Sequence, residues 1–400
     1  MNSNVKALYA ITAKPERLII GLMSGTSLDG LDVALCRITG HGLQTNIQVL
    51  QFETVPYNED VKKEIKTVFS KQQVDLEKLT LLNPWIALKH AAIINALLQK
   101  WDIAKEQIDI IASHGQTIYH APKILHAKDA FGNATLQIGD GDHIAMATGI
   151  ITISDFRQKH IAAGGEGAPL AVYGDYLIFG KAGEDRILLN MGGIANFTFL
   201  PGDINSNNIF STDTGPGNTM MDAYMQQQYP GQYFDADAAV ALKGTINTAL
   251  LEALKQNDFF AKPFPKTTGP ELFNLDYLQK ATSIAAIKDS STADTMATLN
   301  KFSADTITAA LLKATDKNKP YSIFCSGGGI HNPLLMQHLQ QSLPNFTFNS
   351  TAALQIDPDA KEAVLFALLA NECICGDGTY LKKGVAGMPV VSMGKISFPD

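Results

Sequence analysis

The chain has 400 residues and a mass of 43.1 kDa; at about 100–200 residues per domain this is more than one hydrophobic core usually serves, so two large lobes are expected. A hydrophobic fraction of 46% with 18% charged residues excludes a mainly disordered chain. Thirty-two basic against thirty-nine acidic side chains leave a net charge of −7, which opposes long-range attraction to nucleic acid and argues against it as a partner.

The first twenty residues carry Lys6, Lys14, Pro15, Glu16 and Arg17 where a secretory signal needs an unbroken apolar stretch, so no export signal is expected. No apolar run approaches the roughly 18 residues that span a bilayer, which predicts a soluble protein with no membrane partner. Arg17–Met23 reads as a buried strand, Ser24–Gly30 as a glycine turn and Leu31–Ile38 as a returning strand. Asn83–Trp101 has the apolar spacing of a long helix, with Asn83 as cap and Pro84 at its first position. Ile108–Ala112 reads as a short buried strand ending at Ser113-His114-Gly115-Gln116-Thr117, and Ile150–Ile153 as another ending at Ser154-Asp155-Phe156-Arg157. Polar residues just past strand ends in an α/β sheet face the ligand crevice, so both segments are site candidates.

Arg186–Asn190, Met191-Gly192-Gly193 and Ile194–Leu200 repeat the strand, glycine turn, strand pattern about 170 residues after its first occurrence, which suggests two similar lobes. Helices are predicted over Thr219–Met225, Thr245–Lys255, Thr292–Lys313, Pro333–Gln341 and Asp359–Cys373, with a strand at Tyr321–Cys325. Four cysteines make no disulfide framework, and the lone Cys373-x-Cys375 pair reads as buried thiols in a reducing cytoplasm.

Gly25-Thr26-Ser27-Leu28-Asp29-Gly30 can wrap an anion, because glycines bare backbone N–H groups and the hydroxyls add donors. It is neither a Walker loop nor a dinucleotide fingerprint, and alone it reads more readily as an ordinary hairpin turn. Three further glycine loops follow: Asn190–Gly193, Asp213–Asn218 and Ser326–Gly329. Four such loops in this order resemble the way actin-like sugar kinases and chaperone ATPases hold ATP.

GLMSGTSLDGLD (21–32), ASHGQT (112–117), LQIGDG (136–141), SDFRQKHIAAGGEGAPL (154–170), LLNMGGIANFT (188–198), DTGPGN (213–218) and GGGIHNPLL (327–335) together resemble the anhydro-N-acetylmuramic acid kinase family, in the family's order and across almost the whole chain. The resemblance implies an α/β, two-lobed actin-like ATPase (ribonuclease H-like) fold with an interlobe cleft. Residues 1–148 would form the first lobe, completed by 380–400, and residues 149–379 the second. It implies an ATP-dependent cytoplasmic sugar kinase that opens the 1,6-anhydro ring with water and phosphorylates O6 during peptidoglycan recycling. Its cofactors would be ATP and Mg²⁺ and its partner a small anhydrosugar, a homodimer being left open.

By the same resemblance Gly25, Thr26, Ser27, Asp29, Gly30 and Asp32 form the first phosphate loop, with Asp29 holding the metal through water. Gly192 and Gly193 form the second, Asp213, Thr214 and Gly215 a further cofactor loop, and Gly327, Gly328, Gly329 and Asn332 the adenosine pocket. His114, Gln116, Thr117 and Glu362 are placed at the sugar, and Asp155, Arg157 and the residue three places after Arg157 at the chemistry. There the chain departs from the family pattern: His160 stands where an aspartate activates the water, and Glu166 where glutamine is usual. A neutral imidazole can take a proton near pH 7, so His160 reads as the base or, equally, as a loop residue that only hydrogen-bonds backbone, with Asp155 the next choice of base. The departure also motivates a second reading, a non-catalytic sugar- or nucleotide-binding relative with the same fold. A third, a metallohydrolase using His114, His120, His126, Asp140, Asp142 and His143, lacks any tight ligand pairing.

Overall fold

The computed structural model describes residues 1–25, 28–168, 170–203, 209–316, 318–351, 357, 359–376, 389 and 391–400. Thr26 and Ser27 lie outside the described residues. The chain forms two compact units, Met1–Ile178 with Gln355–Asp400, and Phe179–Leu354. In chain order the strands are β1 (Glu16–Ser24), β2 (Gly30–Thr39), β3 (Asn46–Pro56), β4 (Ile110–Ala121), β5 (Ala134–Ile138), β6 (Thr152–Ser154), β7 (Arg186–Met191), β8 (Ile194–Leu200), β9 (Phe210–Pro216), β10 (Tyr321–Ser326), β11 (Phe346–Ser350) and β12 (Lys395–Ser397).

The first unit holds a mixed sheet in the order β12-β6-β4-β1-β2-β3, with β5 added to the far half of β4. β1–β2 and β2–β3 pair antiparallel, while β4 lies parallel to β1 and β6 parallel to β4. The second unit repeats that plan as β11-β10-β7-β8-β9, with the same antiparallel and parallel senses. The fold is thus mixed α/β with one strand order used twice, the doubled plan expected of an actin-like ATPase.

The unit boundaries differ from the expected 148/149 and 379/380 divisions, for a reason visible in the pairing. β6 hydrogen-bonds to β4 and takes residues 152–154 into the first sheet, and the helix Lys361–Cys375 packs on β1, β2 and β4. Residues 149–178 and 355–379 therefore belong to the first unit.

The long helix runs Leu76–Lys100 and is capped by Asp75, whose side chain accepts the Lys78 N–H, so Asn83 and Pro84 lie inside it. Asn83 instead accepts the Gly139 N–H at 2.8 Å, a tertiary contact. This helix is long and apolar enough by composition to cross a membrane, yet Leu82, Ile86, Ala87, Ile94, Leu97 and Leu98 are buried in the core of the first unit. β4 also runs further than expected, so His114, Gln116 and Thr117 lie within a strand instead of beyond its end. Likewise Asp213 and Thr214 belong to β9 and not to a polar loop.

Candidate active site

In the first unit β1 delivers Ser24 and Gly25 to the turn that leads into β2. A buried hydrogen-bond chain ends there. Gln116 donates through Nε2 to Gly25 O at 3.0 Å and to Thr117 O, which leaves its carbonyl oxygen to accept the Ser24 hydroxyl at 2.5 Å. Ser24 Oγ therefore accepts from the Tyr57 hydroxyl at 2.8 Å, and Tyr57 in turn accepts from His90 Nε2 at 2.8 Å. All four side chains are buried, and burial drives His90 down to about 4, so it is neutral near pH 7. Gln116 is thus committed to holding the loop backbone, and Thr117 lies beside it with its hydroxyl accepting from Gln137 at 3.3 Å. Neither Tyr57 nor His90 carries a sequence signal: one follows a strand and the other sits among apolar helical residues.

After the turn, Asp29 is exposed and Asp32 half-buried. Asp32 accepts the Thr54 hydroxyl at 2.6 Å. Its pKa is raised, first by burial and further by the nearby charges of Asp359 and Asp29. Negative charge crowded in this way favours a cation. Among the described residues no three His, Cys, Asp or Glu side chains are grouped tightly enough to hold a metal directly.

Asp155 and Arg157 leave the end of β6. Asp155 adopts a left-handed conformation (φ 59°) and pairs with Lys395 of β12. Arg157 is the second residue of the helix Phe156–Ala162 and is held from two sides: Nε donates to His114 Nε2 at 2.8 Å and Nη1 to Gly167 O at 2.7 Å. His114 is 2% exposed, its ring 4.6 Å from that of Phe366. Burial first and the Arg157 charge second take its pKa down to about 3. His114 therefore supports Arg157 with its lone pair. His160 is equally buried, and its Nδ1 accepts the Gly167 N–H at 2.9 Å.

Glu362 opens the helix Lys361–Cys375 and is the carboxylate whose charge Arg157 feels. Its side chain reaches solvent, yet surrounding protein raises its pKa. Asp32 raises it further, while Arg157 and Lys361 pull the other way. Arg157, His114, His160 and Glu362 thus form one group, and Gly167, not singled out in the sequence, joins them. The GGEGAPL run was the available signal for it.

In the second unit three glycine loops meet at one end of the sheet. Gly217 N and Thr219 N donate to Gly193 O at 2.8 and 3.0 Å, Asn218 N donates to Gly192 O at 2.8 Å, and Asn218 Nδ2 donates to Met191 O at 3.2 Å. Gly327 closes the group in a left-handed conformation (φ +81°), where a Cβ would come within 2.7 Å of Asn190 Oδ1 and 2.8 Å of the Met191 carbonyl. Only glycine satisfies both restrictions. The result is a bare-backbone surface suited to phosphate or a flat ring.

Other expected cofactor residues are tied into the scaffold. Thr214 donates to Ala195 O, and Asp213 accepts the Thr268 N–H at 2.8 Å while burial raises its pKa. Asn332 caps the helix Pro333–Ser342 through its carbonyl oxygen, which also accepts from Asn300. Gly215 sits within β9 opposite Ala195. Gly328 is exposed and Gly329 buried beside Met191.

The family model described as anhydro-N-acetylmuramic acid kinase matches residues 17–398. The chain belongs to that family. A protein of that name from Pseudoalteromonas atlantica is 57% identical over 401 residues, covering 100% of both chains. Another, from Caldanaerobacter subterraneus subsp. tengcongensis, is 37% identical over 98% of this chain and 99% of its own. Among solved structures, the activator of the 2-hydroxyisocaproyl-CoA dehydratase from Clostridium difficile with bound ADPNP aligns over 89% of this chain and 95% of its own, at 10% identity and a TM-score of 0.41. The anhydro-N-acetylmuramic acid kinase match spans both units.

Proposed function

We propose that this protein transfers the γ-phosphoryl group of ATP to O6 of 1,6-anhydro-N-acetylmuramic acid while water opens the anhydro ring. The observation that carries this reading is the family match over residues 17–398. The bare-backbone loops of the second unit support it, since phosphoryl transfer asks the protein chiefly for positioning and for donors to charge. In the reaction the water oxygen bonds to the anomeric carbon, the bond from that carbon to O6 breaks, O6 takes the phosphoryl group, and ADP leaves.

Glu362 takes the water's proton. Its carboxyl is open to solvent, has no hydrogen-bond partner among the described contacts, and has the raised pKa that suits a general base. Asp155, by contrast, is paired with Lys395. Arg157, fixed by His114 and Gly167, supplies a rigid donor for the negative charge that develops on the sugar oxygen. Asp29 and Asp32 would hold Mg²⁺ through water, and the ion when bound offsets charge on the phosphates. Dependence on ATP is the reason for assigning the protein to the cytoplasm, where the product would enter the recovery of cell-wall sugars.

The test is incubation with ATP, Mg²⁺ and the anhydrosugar in ¹⁸O-labelled water. The expected product is N-acetylmuramic acid 6-phosphate with the label at the anomeric carbon, one per ADP. Absence of sugar-dependent ADP would overturn the proposal in favour of the non-catalytic reading.

A further inference from the structure

His160 stands where the family motif carries an aspartate, and its surroundings define what it can do. A neutral imidazole has one N–H and one lone pair. The lone pair is at Nδ1, because that nitrogen accepts the Gly167 N–H at 2.9 Å, so the proton sits on Nε2. Nε2 is buried without a partner, and the ring meets Tyr173 edge-on at 5.8 Å between centroids. The charge that acts on the ring is Arg157 on its own helix, and Tyr173 packs on it from the following helix. A second proton would have to displace the Gly167 contact beside a guanidinium, and burial with that charge lowers the pKa of the ring.

The same glycine faces the other way with its carbonyl, which accepts Arg157 Nη1 at 2.7 Å. The bonds therefore run from His160 through the backbone of one residue, Gly167, to Arg157, and His114 closes on the guanidinium from its other edge at 2.8 Å. We infer that His160 is a positioning residue that orients Arg157 through Gly167, and that it does not accept the proton of the attacking water. This rests on the reaction proposed above.

The decisive comparison is His160→Asn against His160→Gln and His160→Ala. An asparagine oxygen reaches the place of Nδ1 and can accept the Gly167 N–H, whereas a glutamine carries its amide out to the place of Nε2. Asn is expected to keep kcat/KM for the sugar within about threefold of the parent, while Gln and Ala lose roughly 10²-fold through misplacement of Arg157, with KM for ATP unmoved. In an Arg157→Lys background, His160→Ala should add little further loss. An Asn variant as impaired as the Ala variant, or losses that simply add in the double variant, would overturn the inference.

Nitrogen-15 NMR of the imidazole in the parent gives a reading that needs neither turnover nor variants. A fixed Nε2–H tautomer from about pH 6 to pH 8 is expected, and an Nδ1–H ring or one titrating near its ordinary pKa would refute the assignment. A parent that fails to turn over the sugar but shows the fixed tautomer would sink the proposed reaction and leave the His160 to Gly167 contact standing.

Discussion

Glu362 and Arg157 govern how the proposed reaction should respond to pH. Partial desolvation by the surrounding protein raises the Glu362 pKa above the ordinary 4.5, Asp32 adds to the rise, and Arg157 and Lys361 oppose it. A base must be ionised to act, so kcat/KM for the sugar should fall as pH drops, with its midpoint above that of a free glutamate. Glu362→Gln should lose roughly 10²–10⁴-fold in turnover with ATP affinity near normal, measured by coupled ADP release and by titration calorimetry. A Gln variant at the parental rate would remove Glu362 from the chemistry. Arg157 and His114 could be picked out as candidates because they fall in motifs with a fixed local order of polar types, whereas Glu362 lies in none of those motifs and was placed only by the resemblance of its helix. What spacing could not convey is where each lone pair goes. That His114 gives its own to Arg157, and His160 its own to Gly167, depends on contacts 43 and 7 residues apart along the chain.

The helix Lys361–Cys375 connects that site to the core of the first unit. It lies on β1 so closely that a Cβ at Gly21 would stand 1.9 Å from the Ala363 carbonyl oxygen and 3.0 Å from Ala367 N. Both obstacles are backbone, so no side-chain rotation relieves them. Gly21→Ala should therefore cost about 1–3 kcal/mol or more, seen as a lower melting temperature by calorimetry. It should also reduce turnover in the folded variant, because Glu362 sits in the first turn of the displaced helix. An unchanged melting temperature would mean that the helix and strand are not in contact at Gly21. At this scale the two glycine hairpins were legible from alternation around a turn. The full length of β4 was not, since its second half, Gln116–Ala121, mixes polar and apolar residues and is held by β5, a partner local propensity cannot announce. Pro84 misled for a related reason. A proline inside a helix removes a hydrogen bond and typically costs about 3 kcal/mol, but a buried stripe including Leu82, Ile86, Ala91 and Ile94 carries the helix through it.

Across the molecule, the recurrence of one strand order explains why a faint repeat of pattern was readable between segments sharing few letters: hairpin alternation survives when the residues that fill it change. The division of the chain was less readable, because the first unit is completed by a segment that returns after the whole second unit. This arrangement separates the buried histidines. His90, His114 and His160 all lie in the first unit, with pKa values held down chiefly by burial, to about 4 for His90 and about 3 for His114. In the second unit His338 is also lowered but only partly buried. A histidine depressed in the folded state contributes stability that is complete above its unfolded pKa and is lost as pH falls below it. With an unfolded value of about 6.5, His90 and His114 should each withdraw about 1.4 kcal/mol from the first unit between neutral pH and about pH 5.5. The raised carboxyls of Asp32 and Glu362 work in the opposite sense there, as does Asp222, raised to about 6, in the second unit. Both tryptophans, Trp85 and Trp101, fall in the first unit, so tryptophan emission follows that unit alone while far-ultraviolet circular dichroism follows both. In urea titrations near pH 7.5 and pH 5.5, the tryptophan transition should move to lower urea in acid by more than the dichroism transition does. Replacing His90 with Gln should shrink that shift, because the amide has no proton to gain. A tryptophan midpoint that does not move between the two pH values would show that the buried histidines are not the acid-sensitive element of the first unit.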